Sequence, residues 1–541
     1  MSSSPSYRKS IKPIILPYQI KITNLATYVD FRKKGHKILH TFKVSYPKNP
    51  DYSPLEIDKH MISRLRFLLK RIKAIQALDL NRCTLRSECL SAENVAYLTK
   101  KARRVKSLGI SDYWKSIRGF YIQPRVWLKY LRDLKQLEYK LVMEFFPLSW
   151  ENTKRFDKSV KIFLLQMRRH KKMDAVSISL PYSNALFLGP FVQFHLYPPS
   201  LKKLSLHGGN NFYQNWVNPH KLNIKLSHMK NLETLSINIA REDSLITSLL
   251  PQIMTHSTLK SLDLVIPVNK INLPETLKAT KGLKQLRLNL NPSLGQLATI
   301  SKLFDLKSLD QVTLMVNLDN QSPLSILINF ISQLTDLKHL KINAFHYSKP
   351  RDRNCLKQLI DQLSELRALK SLKLTFITYA NITKEDFFTD VTPSLKVLFM
   401  KLKSLETFWL VSNQFDASQV FINLIESLEA LAPNLRNLRI DVGEYTPEQY
   451  DLCLISKFIQ NLRNIKVLKL CSIKMPIKRL PVEVLNSISS LNCLKKLALC
   501  EFDVAISKNS FLKLIDNVLA NQKTSNSTPK KVYIKNTSWQ M

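Results

Sequence analysis

The chain has 541 residues, and its 82 Lys and Arg against 41 Asp and Glu give a formal net charge of +41. Hydrophobic residues make up 45% of it, which is enough for a large buried core and excludes general disorder. Only nine glycines occur, too few for a collagen or for a fold that holds nucleotides in glycine-rich loops.

The cysteines and the lack of long apolar segments predict an intracellular protein without a membrane span. The seven cysteines are odd in number and contain no CxxC pair, which is typical of a reducing compartment. No stretch reaches the ~18 apolar residues of a spanning helix, and the N-terminus lacks the apolar core of a signal peptide. We expect the protein to be located in the nucleus or cytoplasm. Mitochondrial import stays open, because the first 29 residues contain no acid, although Pro13 and Pro17 interrupt a presequence helix.

Residues 1–54 are basic, contain several prolines and carry no repeat, so we interpret them as an extended segment or cap before a helix near Leu55. From there a short pattern, Leu-x-x-Leu-x-Leu with Ile, Val or an aromatic as substitutes, recurs about fifteen times. The copies start at Ile75, Val105, Leu134, Met173, Leu201, Leu232, Leu259, Leu283, Leu309, Leu337, Leu369, Leu405, Leu435, Ile465 and Leu494.

From Leu201 onward the copies are 24 to 36 residues apart. The intervals hold apolar residues at helical spacing, as in residues 354–366, so each unit predicts a strand, a loop and a helix. The alternating leucines of the strand and the apolar stripe of the helix would bury one shared core. A single unit cannot cover both of these faces, so the units must stack.

This arrangement resembles the leucine-rich repeat family, and the long units with helices are similar to its ribonuclease-inhibitor-like and cysteine-containing subgroups. Cys471 and Cys500 follow strand motifs, as in those subgroups, and Cys83 lies near one. The resemblance covers roughly residues 60–520. It implies an α/β leucine-rich repeat solenoid, a horseshoe with a concave parallel β-sheet and convex helices.

The predicted solenoid spans residues 55–520, with an irregular or inserted part at about residues 134–200, where prolines cluster. Residues 521–541 form a polar tail in which KKVYIKN is a candidate edge strand. No nucleophile elbow, phosphate-binding glycine loop, zinc spacing or metalloprotease histidine pair is recognisable. We therefore expect no enzyme activity, no catalytic residue, no metal and no cofactor.

The N-terminal third carries most of the charge, since residues 1–173 hold 38 of the basic and 13 of the acidic residues. Two clusters are candidate sites for anions or nucleic acid, namely Lys100, Lys101, Arg103 and Arg104, and Arg168, Arg169, Lys171 and Lys172. The first cluster also matches a nuclear-localisation signal. Another explanation needs no ligand: lysine outnumbers arginine 58 to 24, as AT-rich codon usage produces, and several clusters precede strands, where a helix C-terminus favours cations.

A second basic pattern concerns the motif position between the last two leucines, which must face the concave surface. From Arg287 to Lys469 this position is mostly basic and would form a positive ladder about 30 Å long. The candidate partner-binding residues are Arg287, Lys341, Lys373, Trp409, Arg439 and Lys469. We expect Trp409 to be exposed, as an anchor for a protein or a platform for a nucleobase. The alternative is that a lysine-rich chain places these residues there by chance, on a solvated surface without a partner.

The leading hypothesis is a non-catalytic scaffold that binds a macromolecular, acidic partner through its concave face and its basic N-terminal third. A protein is the expected partner, and no small-molecule substrate is expected, because an open arc offers few deep pockets. The alternative is an RNA-binding or ribonucleoprotein-binding protein. A third hypothesis, a substrate receptor of a ubiquitin ligase, is implied by the cysteine-containing repeats alone, since residues 12–45 lack the paired helices of an F-box.

Overall fold

The structure is a computed structural model of the chain. It describes residues 19–22, 38–44, 55–57, 74–80, 83–85, 105–114, 128, 131, 133–143, 150–180, 189–208, 225–238, 243–266, 282–290, 295–317, 324–346, 353–378, 392–412, 417–445, 449–473, 484, 487–488, 490–491, 493–494, 496–500 and 531–535. The chain forms two compact units, residues 1–259 and residues 260–541.

Parallel strand pairing organises the first unit. Its strands are β1 Gln19–Ile22, β2 Ile38–Val44, β3 Leu55–Ile57, β4 Ala74–Leu80, β5 Cys83–Leu85, β6 Ser107–Trp114, β7 Gln136–Met143, β8 Ala175–Leu180, β9 Lys203–Gly208 and β10 Thr234–Asn238. One parallel sheet runs in the order β1, β2, β4, β6, β7, β8, β9, β10. The short strands β3 and β5 pair with each other.

The weaker repeat copies at Leu134 and Met173 also form regular strands. Leu137 on β7 is the register partner of Val176 on β8, which in turn is the partner of Leu204 on β9. The parallel register therefore continues through described parts of residues 134–200. Pro181, one of the prolines on which the predicted irregularity depends, lies outside the described residues.

The second unit contains a parallel sheet in which each strand pairs with the next one in the chain. Its strands are β11 Ser261–Ile266, β12 Gln285–Leu290, β13 Gln311–Asn317, β14 His339–His346, β15 Ser371–Thr378, β16 Thr407–Ser412, β17 Asn437–Tyr445, β18 Val467–Ile473, β19 Lys496–Cys500 and β20 Lys531–Lys535. This strand order is that of a solenoid, because each repeat contributes one strand and stacks on its neighbour.

Helices connect the strands as the 3.6-residue periodicity predicts. They are α1 Trp150–Arg168 and α2 Asp243–Met254 in the first unit, and α3 Gly295–Leu303, α4 Leu324–Ser332, α5 Arg353–Ser364, α6 Thr392–Lys401, α7 Ala417–Leu428 and α8 Gln449–Asn461 in the second. Each of α3 to α7 packs against the following helix. The helix predicted at residues 354–366 is α5, where Leu359, Ile360 and Leu363 are buried.

The core of the second unit consists of the motif leucines and the apolar helix positions. In each copy from Leu283 to Ile465 the three apolar motif positions are at most 4% exposed. Phe408 on β16 meets Phe399 on α6 edge to face, with ring centroids 4.9 Å apart. Full burial of each such side chain contributes about 1.5–3 kcal/mol, so the repeated motif supplies much of the driving force for stacking.

Candidate interaction surface

The motif position between the last two leucines forms one row across the second sheet, on the face opposite the buried leucines. Register pairs join its members strand by strand from β12 to β18. We call this row the ladder; it consists of Arg287, Thr313, Lys341, Lys373, Trp409, Arg439 and Lys469. All six candidate partner-binding residues thus lie on adjacent or nearly adjacent strands, with the buried Thr313 between the first two of them.

The two arginines of the ladder have carboxylate partners within the protein. Arg287 Nε lies 3.6 Å from the carboxylate of Asp263, its register partner on β11. Arg439 donates a 2.8 Å hydrogen bond to Asp441, two residues further along the same face of β17. These pairs reduce the net positive charge at both arginines, so the ladder is less uniform than its sequence indicates.

Lys341 and Lys373 are different, because they are direct register partners on β14 and β15 and neither forms an ion pair with a described carboxylate. The neighbouring positions on the same face, Asn343 and Thr375, are neutral. Partial burial, and then the ammonium group of Lys341, lower the pKa of Lys373 below its ordinary value. Two cations on adjacent strands therefore repel each other without internal compensation.

The pKa of His339 is affected by the same positive charges. This residue begins β14, two residues before Lys341 on the same face. Burial is the main cause that lowers the pKa of its imidazole, followed by the charges of Lys370 and Lys373. The charge of Asp310 raises this pKa. The field at this part of the sheet thus disfavours a further cation and favours an anion.

Trp409 is partly buried, whereas the sequence predicted an exposed side chain. The ammonium of Lys373 lies 4.0 Å from the ring centroid, and that of Lys469 lies 5.5 Å away. The indole Nε1 and the neighbouring Arg439 Nε are both buried and have no hydrogen-bond acceptor among the described residues. The ring therefore supports two cations of the ladder, and it is not an open stacking platform.

The two N-terminal basic clusters differ in what the structure describes. Lys100, Lys101, Arg103 and Arg104 lie outside the described residues. Arg168, Arg169, Lys171 and Lys172 are exposed at the C-terminal end of α1. Lys172 donates a 2.8 Å hydrogen bond to Asp133, and the helix dipole favours cations at this end without a ligand.

Sequence reasoning missed a second charged row, which directly precedes the strands. The second position of the motif is charged in all eleven copies from Leu201 to Leu494. In the second unit the backbone N–H of this residue and the next one both donate to the carbonyl oxygen of the equivalent residue one repeat earlier, as at Lys284 and Gln285 with Lys260. This periodic charge was visible in the sequence, but the groove to which four of these residues contribute appears only when the repeats are stacked.

Among the residues that the structure describes, no three His, Cys, Asp or Glu side chains gather as metal ligands would. Within the same residues no helix is both long and apolar enough to cross a bilayer.

No protein-family model and no curated protein sequence matches the chain. Among solved structures it is similar to a TLR13–ssRNA13 complex, at 15% identity and a TM-score of 0.34, over 82% of this chain and 60% of that one. It is also similar to the leucine-rich repeat-containing protein LegL7 from Legionella pneumophila, at 15% identity and a TM-score of 0.31, over 70% of this chain and 97% of that one. The chain thus spans 60% of the length of the first. These similarities concern the fold alone. The buried motif, the parallel strands and the packed helices confirm the predicted α/β leucine-rich repeat solenoid.

Proposed function

We propose that the chain is a non-catalytic scaffold that binds an acidic macromolecular partner, a protein, across the ladder. The observation that carries this proposal is the adjacent pair of Lys341 and Lys373, which lack a carboxylate partner among the described residues. Their mutual repulsion is offset when an anion binds between them.

The length of the ladder favours a macromolecule. Neighbouring strands lie ~4.8 Å apart, so seven strands present a surface about 30 Å long. A stable protein interface covers about 800 Å² on each partner, an area that such a face supplies together with the rows beside the ladder. Asn343, Ser371 and Thr375 add neutral hydrogen-bonding groups around the two lysines.

Trp409 favours a protein over single-stranded nucleic acid. A nucleobase stacks on a free aromatic face, whereas the ammonium of Lys373 already lies over this ring. A carboxylate can approach Lys373 or Lys469 while the ring stays in place. RNA or ribonucleoprotein binding is the alternative function, and the net charge of +41 supports it.

The basic N-terminal third belongs to the same proposal, with Arg168, Arg169 and Lys171 among its exposed described cations. We also propose that the repeats are of the ribonuclease-inhibitor-like subtype and that the protein is located in the nucleus or cytoplasm. The ubiquitin-ligase receptor hypothesis rests on resemblance alone, and nothing in the described residues favours it.

The test compares a ladder variant with a variant of equal charge. The ladder variant combines Lys341→Glu, Lys373→Glu and Lys469→Glu; Arg439 is kept because it already pairs with Asp441. The control combines Lys302→Glu, Lys357→Glu and Lys396→Glu, three exposed lysines of α3, α5 and α6. Bound macromolecules are recovered from cells with the wild type and both variants at moderate salt, with and without nuclease.

We expect one defined protein with the wild type and with the control variant, unaffected by nuclease, and its loss with the ladder variant at an unchanged melting temperature. Equal recovery with the ladder variant contradicts the proposal. Recovery that is sensitive to nuclease and falls steeply with salt supports RNA binding instead.

A further inference from the structure

A groove lies along the loops that lead into strands β15 to β19, and the proposed function does not use it. It encloses about 490 Å³, a volume typical of small-molecule sites. Four successive repeats supply its cations, which are Lys370, Lys403, Arg436 and Lys466. Stacking of the repeats thus creates a concave site that no single repeat contains.

The backbone of the groove is held in place by paired hydrogen bonds. Glu406 N and Thr407 N both donate to Lys370 O, at 2.9 and 3.0 Å. The same pattern repeats two strands later, where Lys466 N donates to Arg436 O at 2.7 Å. The backbone of these charged residues is therefore held at fixed strand spacings. Ligand binding does not have to order that backbone.

The charge of the groove is strongly positive. Glu406 is the single acidic residue against four cations in its lining, and it pairs with Arg436 at 3.3 Å. Lys370, Lys403 and Lys466 form no ion pair with any carboxylate of the described residues. Three uncompensated ammonium groups thus face one concavity.

Neutral amide groups complete the lining. Asn434 donates to Lys403 O at 3.1 Å, and Asn464 donates to Pro433 O at 2.7 Å. Each hydrogen bond orients an amide and leaves the second N–H of that amide for a ligand. The groove therefore presents mostly hydrogen-bond donors.

We propose that this groove binds a small ligand that carries two or more linked phosphate groups. Phosphate offers acceptors only, which matches a lining of ammonium and amide donors, and lysine binds it as a point charge. Lys370 and Lys466 come from strands about 14 Å apart, so linked phosphate groups can contact cations of more repeats than a single phosphate can. The groove shares no residue with the ladder, so ligand binding in the groove can be tested separately from partner binding on the ladder.

Calorimetric titration with inorganic tripolyphosphate at about 0.15 M salt, where surface charges are screened beyond roughly 8 Å, tests the proposal. We expect one site per chain and a loss of affinity of about tenfold or more in a Lys403→Glu, Lys466→Glu variant. The matched control, Lys357→Glu with Lys396→Glu on α5 and α6, should bind as the wild type does. Absence of saturable binding, equal weakening of both variants, or equal affinity for citrate would overturn the proposal.

Cys493 provides a second readout that does not depend on a substitution. Its exposed thiol lines the groove, whereas the exposed thiol of Cys453 lies on α8. Tripolyphosphate should slow alkylation of Cys493 and leave that of Cys453 unchanged, as measured by mass spectrometry of the separate peptides. Equal rates at Cys493 with and without tripolyphosphate would also overturn the proposal.

Discussion

The ammonium of Lys373 lies 4.0 Å from the ring centroid of Trp409, and the two residues are register partners on β15 and β16. This contact orients a cation that has no carboxylate partner among the described residues, and it also occupies the aromatic ring. The same relationship thus makes the sheet face attractive to anions and unsuited to stacking of a nucleobase.

A double-mutant cycle of Lys373→Met and Trp409→Leu should reveal this contact. We expect a coupling of about 0.5–1 kcal/mol in the free energy of unfolding, because the ammonium is partly exposed and the ring is only partly buried. Chemical denaturation of the wild type and the three variants measures it. The cycle of Lys357→Met with Trp409→Leu serves as the control and should show no coupling, since Lys357 lies on α5. Purely additive effects of Lys373→Met and Trp409→Leu would disprove the contact.

Phe408→Ala should destabilise the second unit by about 3–5 kcal/mol, because it removes a fully buried ring and leaves a cavity beside Phe399. Phe408→Leu keeps most of the volume and should cost clearly less. Urea denaturation gives the free energies of unfolding, and hydrogen exchange locates the loss of protection around β16 and α6. A cost of Phe408→Ala no larger than that of Phe408→Leu would contradict this core arrangement.

Gly282→Ala should destabilise the turn before β12 for a backbone reason alone. Gly282 has a φ of +95°, and a Cβ placed there would meet no atom within 4 Å. The cost is therefore the intrinsic penalty of this conformation for a residue with a Cβ, about 1–2 kcal/mol. Gly282→Asn should cost less, because asparagine tolerates positive φ better. Equal melting temperatures of wild type and Gly282→Ala would rule out the positive φ.

The stability of the first unit should fall as the pH is lowered below about 6.5, partly because of His256. Burial lowers the pKa of its half-buried imidazole, although a hydrogen bond with Met229 O at 3.1 Å opposes this. Since the unfolded chain then binds more protons than the folded one, acidification favours unfolding, and the loss levels off below the folded-state pKa. Melting temperatures between pH 7.5 and pH 5.5 should fall less steeply for His256→Gln than for the wild type. An identical slope would exclude His256 as the cause.

Much of the fold could be predicted because one short motif determines which residues must be buried. The spacing of Leu340 and Ile342, or of Leu372 and Leu374, requires a strand with alternate residues in the core, and the structure buries all four. Strands β1 and β2, by contrast, lie in the segment in which no repeat is recognisable, and still β1 pairs in parallel with β2, and β2 with β4. Backbone hydrogen bonding extends a sheet without requiring a leucine pattern.

The position of the ladder could be predicted from the sequence, but its net charge after ion pairing could not. Its order follows from the motif, since equivalent residues of stacked repeats must become register partners. Arg439 and Asp441 stand two residues apart, so this pair could have been inferred from strand geometry. Asp263 and Arg287 occupy equivalent motif positions 24 residues apart, which the register of β11 and β12 places next to each other, but their 3.6 Å distance is known only from the structure.

The sequence by itself determined the repeating strand and helix, the buried leucines and the row of basic residues on the sheet face, because these follow from periodicity within one repeat. The tertiary structure alone decided how closely Asp263 approaches Arg287, how Trp409 lies between two lysines, and that Lys403 and Lys466 line one groove. These features arise between repeats. Their distances depend on side-chain conformations and on the loops before each strand, and neither of these is encoded in the period of the motif.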